Sequence, residues 1–357
     1  MGNSSITKTL GILTAGGDCP GLNAAIRGLC CAASGRYNMN IIGIRNGFRG
    51  LINADVQNLK EDDFSGILHQ GGTILGASRE KPFEAEEKKD KVAAIKEHYR
   101  KLGLDCLVIL GGNGTHTTGY QLAGEGLNVL GLPKTIDNDI EGTDRAFGFD
   151  SALTIATDAV DHLHSTAQSH NRVMVIELMG HKAGWLALYA GIAGGADVIL
   201  IPEIPYNIKN IARHLQERKR RGMSFSIVVV AEGALSEKEA GMDKKTRKKY
   251  RQETAWPSIA YRLTREIEAE TGMETRATVL GYVQRGGAPS AQDRILATSL
   301  GAKAAEFLAR GEYGRMLTVN EHDIGSVDLS VPAEKTRNIP PSHYMIDSAL
   351  SLGTCLG

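Results

Sequence analysis

The chain is poor in aromatic residues, which fill 5% of its 357 positions, and it has no excess of either charge, with 41 Lys and Arg against 41 Asp and Glu. That balance gives gross electrostatics no hold on nucleic acid or an anionic membrane surface. Cysteines are few: Cys19, Cys30, Cys31, Cys106 and Cys355. An odd number without a CxxC pair points to neither a disulfide framework nor a zinc cage, and fits reduced thiols in the cytosol. No apolar run approaches the roughly 20 residues that a membrane-spanning helix needs. The start of the chain has no basic stretch followed by a long apolar one, so no secretory signal is expected, and Ile6 stands where a myristoylation site carries Ser or Thr. The expectation is a soluble cytoplasmic protein with neither nucleic acid nor membrane as partner.

What the chain does have is glycine, 42 residues of it, well above the roughly 7% usual for globular chains. Without collagen periodicity or low complexity, so much glycine marks a backbone that turns tightly or approaches a ligand closely. Short apolar runs alternate with longer amphipathic stretches. The runs Thr9–Leu13, Asn40–Ile44, Cys106–Leu110, Asn128–Leu132, Arg172–Leu178, Val198–Ile201, Ser226–Ala231 and Thr275–Tyr282 read as strands. Gly21–Ala33, Glu87–Lys101, Ser151–Gln168, Ala183–Ala193, Asn207–Arg221 and Trp256–Thr271 read as helices. Strands separated by helices of this length predict an α/β fold of βαβ units in mostly parallel, doubly wound sheets. Ligands bind such sheets beyond the carboxyl ends of the strands, so the loops that follow strands are the ones to read.

Two of those loops are glycine-rich: Thr14-Ala15-Gly16-Gly17-Asp18-Cys19-Pro20-Gly21, and Gly111-Gly112-Asn113-Gly114-Thr115. Neither is a GxGxxG fingerprint, and no GxxxxGK[ST] loop occurs. Each is still a strand, a glycine turn and then a helix, a geometry that aims backbone N–H groups at an anion. Two together favour a polyphosphate site. The basic stretch Asp243–Arg251 has Glu237, Glu239 and Glu253 nearby and reads as a solvated helix or loop rather than a nucleic-acid patch.

The segment Leu132-Pro133-Lys134-Thr135-Ile136-Asp137-Asn138-Asp139 follows a strand and carries Lys, Thr and two carboxylates two residues apart. Phosphoryl transfer uses such a set: one carboxylate accepts the proton of the attacking hydroxyl, another holds Mg2+, and Lys neutralises charge on the moving group. An Asx-turn that merely caps a loop is the alternative on spacing alone.

In combination these motifs resemble the phosphofructokinase family. Thr14–Asn23 looks like its first phosphate loop, Gly111–Thr115 like its second, and Lys134–Asp139 like its catalytic segment. Arg172, Met179-Gly180, Ala231-Glu232-Gly233, and Arg276 followed by Leu280–Gly287 are similar to its sugar-phosphate segments, in family order from about residue 9 to residue 300. The resemblance implies two similar doubly wound domains with the active site in the cleft between them: 1–148 plus about 285–334 for the donor, and 149–284 plus about 335–357 for the sugar phosphate. It implies transfer of the ATP γ-phosphoryl group to the 1-hydroxyl of fructose 6-phosphate, with Asp137 as base, Asp139, Thr135, Lys134 and Arg172 as its catalytic companions, and Mg2+ as cofactor. Gly16, Gly17, Arg79, Glu80, Gly112, Asn113, Gly114 and Thr115 are implied for the donor, with Asn113 also toward the metal. Thr135, Ile136, Asp137, Arg172, Met179, Gly180, His181, Glu232, Arg276, Tyr282, Val283, Gln284 and Arg285 are implied for the sugar phosphate. A homo-oligomer, dimer or tetramer, is implied too, with some of the arginines reaching across a subunit boundary.

Two positions bear on the donor. Gly114 stands where pyrophosphate-using members of the family carry Asp, whose carboxylate would fill and repel the place of the nucleotide α-phosphate. Lys134 stands where many ATP-using bacterial members carry Gly. Exclusion of ATP needs the Asp, so Gly114 outweighs Lys134 and the expected donor is ATP. Pyrophosphate–fructose-6-phosphate phosphotransferase, a non-catalytic sugar-phosphate-binding paralogue, and another acceptor such as sedoheptulose 7-phosphate are the other readings. Asn113, His181 and Tyr282 depart from the family's usual Asp, Arg and His.

Overall fold

The computed structural model describes residues 7–84, 86–254, 256–321 and 323–357; the stretch 1–6, with the Ile6 position read above for myristoylation, lies outside the described residues. Its strands in chain order are β1 (Thr9–Thr14), β2 (Asn40–Ile44), β3 (Val56–Asn58), β4 (Cys106–Gly111), β5 (Val129–Pro133), β6 (Val173–Leu178), β7 (Val198–Leu200), β8 (Ser226–Ala231), β9 (Thr275–Val279), β10 (Arg315–Asn320) and β11 (Asp323–Asp328). The chain divides into two compact units. One takes in the chain up to Ile136, Ile140–Ser151 and Arg285–Thr336; the other is Asp137–Asp139, Ala152–Gln284 and Arg337–Gly357.

The first unit holds a seven-stranded sheet in the order β11-β10-β5-β4-β1-β2-β3. Its central strands β5, β4, β1 and β2 are parallel, while β3 and β11 run antiparallel at the two edges. The centre reads as continuous apolar sequence because both faces are covered: every residue of β4, Cys-Leu-Val-Ile-Leu-Gly, is buried. From β1 the chain builds outward first to β2 and later, through β4, to the other side. The order therefore reverses between β1 and β4, the switch point where doubly wound sheets open a crevice. Glycine also serves the packing here. A Cβ on Gly28 would lie 2.4 Å from the Thr298 carbonyl oxygen and one on Gly301 2.4 Å from that of Ala25, so helices Leu22–Tyr37 and Ala291–Arg310 touch backbone to backbone.

The second unit holds a smaller, all-parallel sheet in the order β7-β8-β6-β9. Val173, Val175, Val228 and Val230 pack with Leu215, Leu263 and Ile267 in its core. The end of the chain closes this sheet: Cys355 bridges Val198 at the β7 edge and its carbonyl accepts from Ile199 N–H.

The structure corrects the last strand expected from sequence. Thr275–Tyr282 is not one strand, because β9 stops at Val279 and Gly281–Arg285 winds as a 3-10 turn, with Gly281 at φ 54°. The basic stretch forms helix Lys244–Thr254, which buries none of its residues. No helix is long and apolar enough to cross a membrane among the described residues.

Candidate active site

Three loops leave the carboxyl ends of three neighbouring parallel strands, β1, β4 and β5, in the first unit. After β1 the backbone turns through Gly16 (φ 82°) and enters helix Leu22–Tyr37 at Gly21 (φ 104°), both left-handed conformations that suit glycine. After β4, Gly112 precedes helix Asn113–Gly124. Neither helix start has a side-chain cap or an acidic residue in its first turn, so both keep the positive end of the helix dipole open to an anion. Asn113, Gly114 and Thr115, expected in a loop, already lie in the first helical turn.

The third loop bends back onto the first. Lys134 is buried, and its ammonium group donates to the Gly17 carbonyl. A Cβ on Gly16 would lie 3.6 Å from Lys134 Nζ and 3.8 Å from Thr115 Oγ1, so residues of all three loops meet there. The Arg285 guanidinium also lies on the first loop, with Nη1 1.9 Å from where a Gly17 Cβ would be. Two cations thus converge on Gly16–Gly17. Arg285, expected toward the sugar phosphate, lies against the first glycine loop within the same unit.

Other side chains hold these loops. Gly16 N–H donates to the Ser78 carbonyl at 2.9 Å and Thr14 Oγ1 to that of Gly76 at 2.6 Å, which docks segment Gly76–Glu80 beside the first loop and leaves Arg79 exposed. Asn23 fastens the stretch just before it, donating to Gln70 and Gly71 carbonyls and accepting from Ile74 N–H. Glu80, expected at the donor, pairs with Lys91 at 2.9 Å. In the second loop, His116 Nδ1 lies 3.0 Å from the Gly112 carbonyl. Burial pushes this imidazole down to about 4, so it is neutral and donates from Nδ1.

Within Leu132–Ile140 every residue is buried except Asp137, which is partly exposed. Asn138 has φ 50°, a left-handed turn between the two carboxylates. Among the described residues no three His, Cys, Asp or Glu side chains gather as a metal cage.

In the second unit the loops after β6, β8 and β9 again leave adjacent parallel strands at their carboxyl ends. They carry Met179-Gly180-His181, Glu232 and Gly281–Gln284. His181 N–H donates to Glu232 Oε1 at 2.8 Å, and a Cβ on Gly233 would sit 2.2 Å from the His181 carbonyl, so the first two loops press together. In the third, Tyr282 and Val283 are exposed, whereas Gln284 is buried and donates to the Gly281 carbonyl at 3.1 Å.

Arg172 and Arg276 do not join these loops. Arg172 precedes β6 and Arg276 is the second residue of β9, at the amino ends of their strands. At about 3.3 Å per residue, that end lies roughly 20 Å from Met179. There the two arginines meet each other at Glu274: Arg172 Nη2 is 2.8 Å from its Oε1, and Arg276 donates to the same oxygen. The hydrogen bond from Arg172 holds the Glu274 carboxyl below the usual range. Strand direction already separated these arginines from Met179, but no sequence signal marks Glu274 as their shared partner.

The phosphofructokinase family model matches residues 9–308. The chain belongs to this family. It is 61% identical to the ATP-dependent 6-phosphofructokinase of Spirochaeta thermophila, across 98% of each chain. Identity to ATP-dependent 6-phosphofructokinase 3 of Bacteroides thetaiotaomicron is 51%, across 98% of this chain and 99% of that one. Among solved structures, phosphofructokinase from Saccharomyces cerevisiae matches with TM-score 0.77 and 29% identity, over 91% of this chain and 45% of the yeast chain, so this phosphofructokinase-family chain spans less than half of that one. A pyrophosphate-dependent phosphofructokinase from Marinobacter aquaeolei, at TM-score 0.81 and 23% identity over 98% and 88% of the two chains, shares the fold.

Proposed function

We propose that the protein is an ATP-dependent 6-phosphofructokinase, transferring the γ-phosphoryl group of ATP to the 1-hydroxyl of fructose 6-phosphate. The observation that carries this reading is the convergence of Lys134, Arg285 and the glycine loops on Gly16–Gly17 at the switch point of the first sheet. The relatives named above as ATP-dependent support the donor.

Donor phosphates lie on the N–H groups at the starts of helices Leu22–Tyr37 and Asn113–Gly124, with Arg79, Lys134 and Arg285 as counter-charges. Asp137, as a carboxylate, accepts the proton of the 1-hydroxyl as it attacks. Thr135 donates to the transferring group. Mg2+ keeps several waters and takes one or two protein oxygens plus substrate phosphates, a mode that suits a site with no three-ligand cluster among the described residues. The Asn113 amide oxygen would hold it, and it would neutralise phosphate charge. Met179, Gly180, His181 and Glu232 form the sugar pocket.

Arg172 and Arg276, at the amino ends of their strands, act on the sugar 6-phosphate of a second copy. The protein is accordingly a homo-oligomer, and it works in the cytoplasm.

The test is formation of fructose 1,6-bisphosphate from fructose 6-phosphate and Mg2+, with ATP and pyrophosphate in parallel. Turnover with ATP supports the reading. Turnover with pyrophosphate alone overturns the donor, and no turnover with either, despite sugar-phosphate binding, overturns the enzyme.

A further inference from the structure

The end of the chain reaches back to the segment assigned above to catalysis. Arg337 lies beyond the span of the family model, 9–308, and within the second unit together with Asp137–Asp139. Its guanidinium takes hold of one atom twice: Nε and Nη2 donate to the Asn138 carbonyl at 3.2 and 3.0 Å. Its own N–H donates to the Asp139 carbonyl at 2.8 Å. One residue therefore fixes both carbonyls that follow Asp137. The turn needs such a hold, since Asn138 sits at φ 50°, a conformation that a non-glycine residue keeps only when its surroundings impose it.

Arg337 is itself held from behind. Its guanidinium lies 4.2 Å from the centre of the Trp185 ring, and Trp185 Nε1–H donates to the Arg337 carbonyl at 2.8 Å. His343 packs edge-on against Trp185 at 5.1 Å between ring centres. Trp185 begins the helix that follows Met179–Gly184. Two residues beyond Arg337, Ile339 N–H donates to Glu203 Oε1 at 3.0 Å, and the same oxygen accepts Gly184 N–H at 3.0 Å. Segment Arg337–Ile339 thus ties the Asp137–Asp139 turn on one side and the end of the Met179–Gly184 loop on the other.

We propose that Arg337 is a positioning residue for the Asp137–Asp139 turn, and that through Trp185 it sets the carboxylate base in register with the sugar-phosphate loop. The inference rests on the reaction proposed above. A fork of two N–H groups on one carbonyl beside a stacked ring is a geometry that Arg supplies and Lys reproduces only in part.

The experiment compares Arg337→Met, which keeps an apolar stem but loses the charge and the fork, with Arg337→Lys, which keeps the charge and an N–H donor, both in the full chain. Arg337→Met should lower kcat at least tenfold, with KM for ATP within twofold of the parent and the thermal midpoint within a few degrees. Arg337→Lys should recover part of kcat. Backbone amide exchange over residues 134–140 should quicken at least tenfold in Arg337→Met, a readout independent of any substrate. If kcat and exchange stay within twofold of the parent in Arg337→Met, Arg337 only fastens the end of the chain and the proposal falls. A parent chain that fails to phosphorylate fructose 6-phosphate overturns the proposed reaction, while the exchange rates still decide whether Arg337 holds the turn.

Discussion

Changing Gly114 to Asp tests the donor assignment where the fold is least disturbed. A Cβ at Gly114 meets nothing within 4 Å, and the residue stands in the first turn of helix Asn113–Gly124. Removing a helical glycine and placing a negative charge at a helix N-terminus are each favourable by roughly 0.5 kcal/mol or somewhat more. The variant should therefore fold as well as the parent or slightly better. Its carboxylate, however, stands at the mouth assigned to donor phosphates. Two like charges about 4 Å apart at an effective dielectric near 20 repel by ~4 kcal/mol, nearly a thousandfold in affinity.

The expected result of Gly114→Asp is a fall in kcat/KM for ATP by two to three orders of magnitude, partly relieved by added salt, with kcat/KM for fructose 6-phosphate under saturating donor changed far less. Pyrophosphate, which has no α-phosphate in that place, should be spared or newly accepted. Initial rates of fructose 1,6-bisphosphate formation with each donor, beside a thermal melt, measure all of this. An unshifted melt with kcat/KM for ATP within threefold of the parent would refute the placement of the nucleotide at this helix start.

Asp137→Ser should reduce kcat by about 10²–10⁴, as loss of a general base does, while fructose 6-phosphate binding by calorimetry stays within a few-fold. Arg172→Ala and Asp137→Ser, each poorly active alone, should regain activity when co-expressed and purified as mixed oligomers; a mixture no better than its parts would place Arg172 in its own copy's site or in none. Glu239 tests a buried network that anchors the far end of the loop after β8 through Ser236. Burial alone would raise its carboxyl, but hydrogen bonds from Arg262, Ser236 and Arg251 outweigh burial and bring it to about 2. Because the folded value lies below the unfolded 4.5, its contribution, on the order of 3 kcal/mol, is complete above about pH 4.5 and lost as pH falls toward 2. Glu239→Gln should cost about that much in urea unfolding at pH 7 and progressively less on acidification; an equal cost at pH 7 and pH 2 would remove the charge from the explanation.

Much of the fold was legible because the central strands are buried on both faces and so read as unbroken apolar runs: Asn40–Ile44 and Ser226–Ala231 coincide with β2 and β8. Where burial is one-sided or partial, the signal fails. The edge hairpin β10–β11, Arg315–Asn320 and Asp323–Asp328, mixes polar and apolar residues and was not foreseen, nor was three-residue β3. Helix Ala291–Arg310 was missed although Ser290 caps it, accepting from Asp293 N–H; its Ala-rich sequence lacks the stripe that marks amphipathic helices.

The candidate site divides along the same physical line. Its loops could be found from sequence because a glycine turn after a strand is a local event, with strand, turn and helix start inside about a dozen residues. What holds those loops is not local. Asn23 reaches residues some fifty positions away, Lys134 reaches Gly17, and Arg337 bonds Asn138 across 199 positions. A motif names the groups that would touch a substrate, whereas the groups that fix their geometry can lie anywhere the chain happens to return. In this chain the return is made by Thr336-Arg337-Asn338, an unremarkable polar stretch far downstream of every motif. Mutational tolerance across residues 337–357 should therefore be lowest at Arg337, whose guanidinium holds the Asn138 carbonyl, and at buried Ile339, and highest at exposed Leu350 and Leu352.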